Sequence, residues 1–350
     1  MLTRRDLLRA LPASALLASA RAAGAAAFGC IDTHVHIHRE APALAGALTA
    51  SGWRGLDIVV SPASEAEEAS DLEAKLRATA AVARESGGAL AWASTFDARS
   101  FEAPDFADRT GDRLRRTFDD GAVGVKVWKN VGMAIKGKSG AYLMPDDPRL
   151  RPVYEAIERA GRTLIAHLAE PDGAWLPLDA ANPEVRYYSA NPRWHMHGKP
   201  GVPAKAEILD ARDRVLDRHP KLRVVGCHLG SDEDDLTRLA RRLDAHPNFA
   251  VDTAARVRYF AAGDRDKVRE FLTQYQDRVL YATDFVLRDG DPADAARSLR
   301  ERHDGDWAFF SGGEAMAYDG RATRGLALPE GVLRKLFREN ALRWIPGLRA

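Results

Sequence analysis

Leu222-Arg223-Val224-Val225-Gly226-Cys227-His228 is a short β-branched run that ends in a histidine. A charged amphipathic stretch, Asp232–His246, follows it, and then a second run, Phe249-Ala250-Val251-Asp252. Runs this short and apolar read as buried strands, and the longer amphipathic stretch between them reads as helix. Two strands joined through a helix pair in parallel, because parallel neighbours need a crossover connection. Working outward, the same unit recurs. Strands are expected over Phe28–His34, Leu56–Ser61, Ala89–Ser94, Gly121–Trp128, Thr163–His167 and Val279–Thr283, and helices over Glu65–Ser86, Asp147–Ala160, Lys205–Arg218 and Asp264–Gln276. Ser231 stands where a cap of the Asp232–His246 helix belongs, with acids in the first turn to suit the helix dipole. His219-Pro220 and His246-Pro247 stop two helices, since proline cannot continue one. Eight strands separated by helices predict an α/β fold of the (β/α)8 TIM-barrel type. A doubly wound open sheet is the alternative, but no GxGxxG follows the first strand. Two connections are long, Glu170–Ala204 after strand 5 and Phe285–Pro329 after strand 8. Both are expected as functional loops on the C-terminal face, where barrel active sites lie.

Composition fits such a fold. The chain has 350 residues with 45% hydrophobic and 29% charged side chains, which is globular and argues against disorder. Its 51 basic and 50 acidic residues leave no electrostatic footprint for nucleic acid. The two cysteines, Cys30 and Cys227, form no CxxC pair and no disulfide framework.

Residues 1–27 read as a targeting segment. Arg4-Arg5 begins it, an Ala/Leu stretch runs from Leu11 to Ala20, and small residues near Ala18-Ser19-Ala20 and Ala22-Ala23-Gly24 offer cleavage sites. The apolar stretch is too short to be a stable membrane anchor. The Arg-Arg pair resembles a twin-arginine export signal, so the expectation is a cleaved leader and a periplasmic or secreted protein, with residues 28–350 as one barrel domain.

Polar residues close several of the strands. Asp32-Thr33-His34-Val35-His36-Ile37-His38 ends strand 1, and residues two apart on a strand share a face, so His34 and His36 project together. His167 ends strand 5, His228 ends strand 6 and Asp284 ends strand 8. Burying this many polar groups in one place is costly unless something pairs them. A divalent cation held by imidazoles and a carboxylate does so. Lys126 on strand 4 is a second anomaly, a cation in an apolar run that needs a depressed pKa or a partner, such as a nearby carboxylate like Glu170 or a contact to substrate.

The motif set DTHVHIH, AHLAEP, GCHLG, NFAVDTAAR and LYATD, in that order over about Ile31 to Ile345, resembles the amidohydrolase superfamily. The closer likeness is to its amidohydrolase-2 branch, with aminocarboxymuconate-semialdehyde decarboxylase-like proteins. The resemblance implies that His34, His36 and Asp284 bind the metal with His167 commonly joining, and that His228 binds a second metal or polarises the substrate. It also implies a carboxylated Lys126 if two metals are held. One ion is the expectation, zinc before manganese, and the frequent dimerisation of such barrels leaves a homodimer open.

The expected activity is hydrolysis of an amide, lactone or ester of a small anionic or ring-bearing substrate, with Asp284 as general base and acid and His228 stabilising the oxyanion. Non-oxidative decarboxylation at the same site is the alternative, and a non-catalytic periplasmic binding protein the second. Specificity is expected from Trp194, His195 and His197 on the loop after strand 5, from Trp128 after strand 4, and from Arg256 as a carboxylate grip. Tyr187 and Tyr188 read equally as substrate contacts or as pins for that loop. His219, His246 and His303 are expected to be solvated, and His38 to lie behind the ligand pair or at the surface.

Overall fold

The structure, a computed structural model, describes residues 29–39, 42–61 and 69–349. The export signal read over residues 1–27 lies outside the described residues, as does the start of the helix expected from Glu65. Among the described residues no helix is long and apolar enough to cross a membrane.

Each expected strand forms. In chain order they are β1 (Ile31–His36), β2 (Arg54–Ile58), β3 (Leu90–Thr95), β4 (Gly124–Val127), β5 (Thr163–Ala166), β6 (Arg223–Gly226), β7 (Phe249–Asp252), β8 (Val279–Leu280) and β9 (Phe285–Val286). All pair in parallel, in the order β8-β7-β6-β5-β4-β3-β2-β1-β9. β8 and β9 are two halves of one barrel strand, broken at residues 281–284. The break still bonds to β1, since Thr33 N–H reaches the Tyr281 carbonyl at 3.1 Å and Asp284 N–H the His34 carbonyl at 2.9 Å. These bonds close the sheet into a (β/α)8 barrel of the TIM type. Asp32 locks the seam, accepting from Thr283 N at 3.0 Å and Thr283 Oγ1 at 2.6 Å.

Alternation along the strands sorts the side chains into two layers. Leu56, Ile58, Ala93, Ile165, Val225, Ala250 and Leu280 meet inside the barrel, with Trp344 and Ile345 covering its N-terminal end. Val35, Leu90, Val125, Val127, Leu164, Val224 and Val251 face the helices. Val35 points outward between His34 and His36, and Val125 and Val127 flank Lys126 likewise. The two histidines and the lysine therefore point inward, above the apolar plug.

Three local expectations are corrected. The helix after β6 begins at Leu236 and is capped by Asp235, which accepts from Thr237 N at 2.9 Å and Arg238 N at 3.0 Å. Ser231, the expected cap, sits four residues earlier at φ +61°. The connection after β9 is not a loop but a helix, Pro292–Ser311, and an antiparallel hairpin of β10 (Ala315–Tyr318) and β11 (Arg321–Arg324). His219, His246 and His303 are buried rather than solvated. His303 stacks flat on Trp53, 3.8 Å between ring centres, and bonds to Asp32 at 3.0 Å, so it fixes the seam.

Candidate active site

At the C-terminal end of the barrel a cavity of about 550 Å³ opens, lined by His34, His36, Lys126, His167, His228 and Asp284 among others. Hydrogen bonds fix which nitrogen of each imidazole is free. His36 Nδ1 lies 2.7 Å from the Ile58 carbonyl, which only accepts, so that nitrogen carries the proton. His34 Nδ1 likewise faces the Asp252 carboxylate at 3.0 Å. Both Nε2 atoms then present lone pairs to Asp284 Oδ1, at 3.2 Å from His36 and 3.5 Å from His34. Acceptors face an acceptor, an arrangement that calls for a cation between them.

The remaining pair follows the same logic. His228 Nδ1 donates to the Ala254 carbonyl at 2.8 Å, which leaves its Nε2 to accept from His167 Nδ1 at 3.2 Å. His167 Nε2 is thereby a buried lone pair, and it has no hydrogen-bond partner. An orphaned buried atom of this kind fits a ligand or substrate contact. His34, His36 and Asp284 bring one donor atom each within 4.8 Å of one another, and the carboxylate–imidazole pairing of Asp252 with His34 is the usual support of a metal-bound histidine.

Charge states agree with that donor set. Burial holds His34, His167 and His228 below the usual imidazole range, so they stay neutral and able to ligate. Burial pushes the Asp284 carboxyl up, but the surroundings set by His36, His228 and His34 outweigh this and hold it well below the usual carboxylate range. Strained backbone supplies the positions, with His228 at φ +59° and Asp284 at φ +63°.

Lys126 does not meet Glu170. Its Nζ lies 3.2 Å from His34 Nε2 and 2.9 Å from Cys227 Sγ. Glu170 pairs instead with Lys129 and accepts from Tyr188 OH at 3.2 Å. Lys129 also donates to Tyr187 OH at 3.0 Å and lies 4.4 Å from the centre of the Trp194 ring.

Trp128 and Arg256 line the cavity as expected substrate contacts must. Trp194, His195 and His197 are not among its lining residues. Trp194 is buried edge-on against Trp128, 5.1 Å between ring centres. His195 Nε2 bonds to the Leu176 carbonyl at 2.8 Å and His197 Nδ1 to the Trp175 carbonyl at 3.1 Å, so both brace the loop. His38 lines the mouth and is held by Asp57, Nδ1 to Oδ1 at 3.1 Å. Sequence reasoning missed the parts played by Asp252, Asp32, Glu184, Arg258 and Arg302. Asp252 had a readable signal, since it ends its strand as the other site residues do. Asp32 stands in β1, two residues before His34, while Glu184, Arg258 and Arg302 lie in a loop and in helices, where nothing in the order of residues marks them.

A search of curated protein sequences finds no match. Solved structures do resemble the chain. One is 2,6-dihydroxybenzoate decarboxylase from Rhizobium, at TM-score 0.54 and 16% identity, covering 90% of this chain and 98% of that one. A dihydroxybenzoic acid decarboxylase from Polaromonas sp. JS666, with bound manganese and the inhibitor 2-nitroresorcinol, has TM-score 0.53 and 14% identity over 92% of this chain and 98% of its own. An uncharacterised TIM-barrel protein from Bordetella bronchiseptica has TM-score 0.51 and 14% identity over 91% and 99%. At such identities the likeness is one of fold. In sequence, the amidohydrolase family model matches residues 31–346, nearly the whole described barrel, and the chain belongs to that family.

Proposed function

We propose that the chain is a divalent-metal-dependent decarboxylase of small hydroxylated aromatic acids. The observation that carries this reading is the cavity. Its floor is the His34, His36 and Asp284 donor set, its wall includes Trp128 and Tyr187, and its lining holds Lys126, Lys129, Arg256, Arg258 and Arg302 against the carboxylates of Glu170, Glu184 and Asp284. A flat anion with a carboxylate suits such a space. Two of the similar structures are decarboxylases of dihydroxybenzoates, which supports this chemistry over the hydrolysis expected first from sequence. Manganese, which one of them holds, becomes the first ion to try, with zinc second.

A divalent ion held by His34, His36 and Asp284 would supply positive charge to draw in an anionic substrate and to acidify its ring hydroxyl. Asp284, ionised at rest, accepts the hydroxyl proton and returns it to the ring carbon that bears the carboxylate. The bond from that carbon to the carboxylate then breaks and CO2 leaves. The electron pair it leaves behind restores the aromatic ring as a phenolate, which takes a proton from solvent. Arg256 orients the acid, and His228 holds His167 with its Nε2 toward the cavity. The leader read over residues 1–27 would place this chemistry in the periplasm.

The test is CO2 release and the shift in ring absorbance from a panel of 2-hydroxy- and 2,6-dihydroxybenzoates, run beside a panel of lactones, esters and amides. Release from a hydroxybenzoate, abolished in Asp284→Asn, is the expected result. Hydrolysis of a lactone or amide with no CO2 from any acid would overturn the reading.

A further inference from the structure

Most of the cavity's cations are neutralised where they stand. Lys129 pairs with Glu170, Arg256 with Glu233 at 3.5 Å, and Arg258 with Glu184 at 2.6 Å. Among the described residues, two lining cations, Lys126 and Arg302, have no carboxylate oxygen within 4.0 Å. Lys126 stands at the floor, beside the donor set. Arg302 comes from the helix Pro292–Ser311, in the segment after β9 that the reaction described above does not otherwise use.

An exposed arginine usually swings freely, but this one is pinned. Its Nη1 donates to Tyr318 OH at 2.9 Å, and the Tyr318 hydroxyl donates in turn to Asp306. Asp306 also accepts from Tyr281 OH, at 2.8 Å, from the break in the barrel strand. Tyr318, Asp306 and Tyr281 are all buried. The β10–β11 hairpin thus reaches back to hold a guanidinium at the lining of the active-site cavity, with its other N–H groups left to bind. Pre-ordering a long side chain removes much of the entropy cost of gripping a ligand, and a guanidinium matches a carboxylate's two oxygens.

We infer that Arg302 recognises a second anionic group on the substrate, so that the substrate class is an aromatic acid with two anionic substituents, one meeting the floor and one meeting Arg302. This rests on the decarboxylase reading for the identity of the first group. Tyr318 is then a positioning residue.

The test is calorimetric titration of the manganese-loaded full chain with benzoate and with benzene-1,3-dicarboxylate. The unmodified protein should bind the dicarboxylate about tenfold or more tightly than benzoate, the size of one charge-assisted contact. Arg302→Gln should bring the two ligands to within about twofold of each other, with the loss falling mainly on the dicarboxylate. Tyr318→Phe should fall between. No preference in the unmodified chain, or a preference kept in Arg302→Gln, would overturn the inference. Because the readout is binding, a chain that prefers the dicarboxylate through Arg302 yet releases no CO2 from any acid would fail the decarboxylase reading alone.

Discussion

The floor of the cavity and its rim are held in different ways. At the floor, three of the imidazoles each have a dedicated partner on or just past another barrel strand: Asp252 behind His34, the Ile58 carbonyl behind His36, the Ala254 carbonyl behind His228. At the rim, contacts run between loops and between loops and helices. Lys129 meets Glu170 and Tyr187, Glu184 meets Arg258 and Tyr259, and Arg302 meets Tyr318. Strand geometry leaves a side chain one place to be, whereas a loop contact is one solution among several. The floor should therefore respond steeply to substitution and the rim in a graded way.

The steepest response is expected at the ligand pair. His36→Ala removes one donor of the set and leaves Asp284 facing a single imidazole. Metal content, about one equivalent per unmodified chain purified without chelators, should fall close to zero, and CO2 release should drop by about 10³-fold or more. Two equivalents in the unmodified chain would instead recruit Lys126 as a ligand. Full metal content in His36→Ala would move the site elsewhere.

Asp252→Asn is the next step down. The amide keeps the shape but no longer offers a charged acceptor to His34 Nδ1, so the tautomer that leaves Nε2 free loses its support. Partners of this kind are typically worth about 10- to 100-fold in metal affinity. A competition assay against a chelating dye reads it directly, and an unchanged affinity would show that the strand alone orients His34.

Acidity separates floor from rim by another route. His34, His167 and His228 have folded-state pKa values lowered by burial, so the unfolded chain binds more protons than the folded one below about pH 6.5. Stability is then present above that pH and lost as pH falls toward the folded-state values. Each fully buried imidazole contributes a slope of up to about 1.4 kcal/mol per pH unit in that window. Urea midpoints of the metal-free protein at pH 7.5, 6.5 and 5.5 should stay level over the first step and drop over the second. A midpoint unchanged down to pH 5.5 would mean that these rings take up protons in the folded state.

The same division decides what the amino-acid order reveals. The barrel was legible because every strand is a short apolar run between amphipathic stretches. The ligand set was legible because a period of two puts His34 and His36 on one face and because His167, His228 and Asp284 each close such a run. The break in the last barrel strand was not, since Tyr281-Ala282-Thr283-Asp284 continues the apolar pattern and only the positive φ at Asp284 interrupts it. His303 read as a solvated residue of a long connection because nothing local announces the Trp53 ring it stacks on, 250 residues away in the chain. Arg302 is hidden for the same reason, as its partner Tyr318 sits in a hairpin whose β-pattern is short and mostly exposed.

The smallest effect is expected where the rim is least committed. His197 lies in the stretch Trp194-His195-Met196-His197, which as a sequence looks like a substrate-binding cluster. In the fold its ring is exposed, outside the cavity lining, and its one side-chain hydrogen bond goes to the Trp175 carbonyl at 3.1 Å. Buried Met196, whose N–H bonds to the Ala174 carbonyl at 2.7 Å, already ties the loop at the same point. His197→Ala should therefore change stability by no more than about 0.5 kcal/mol, as surface substitutions usually do, and kcat/KM by less than about twofold. A large fall in kcat/KM with stability intact would mean that the loop folds inward over bound substrate and carries His197 with it. The rim would then be a closing element, and the contrast with the strand-held floor would be one of motion as well as of contacts.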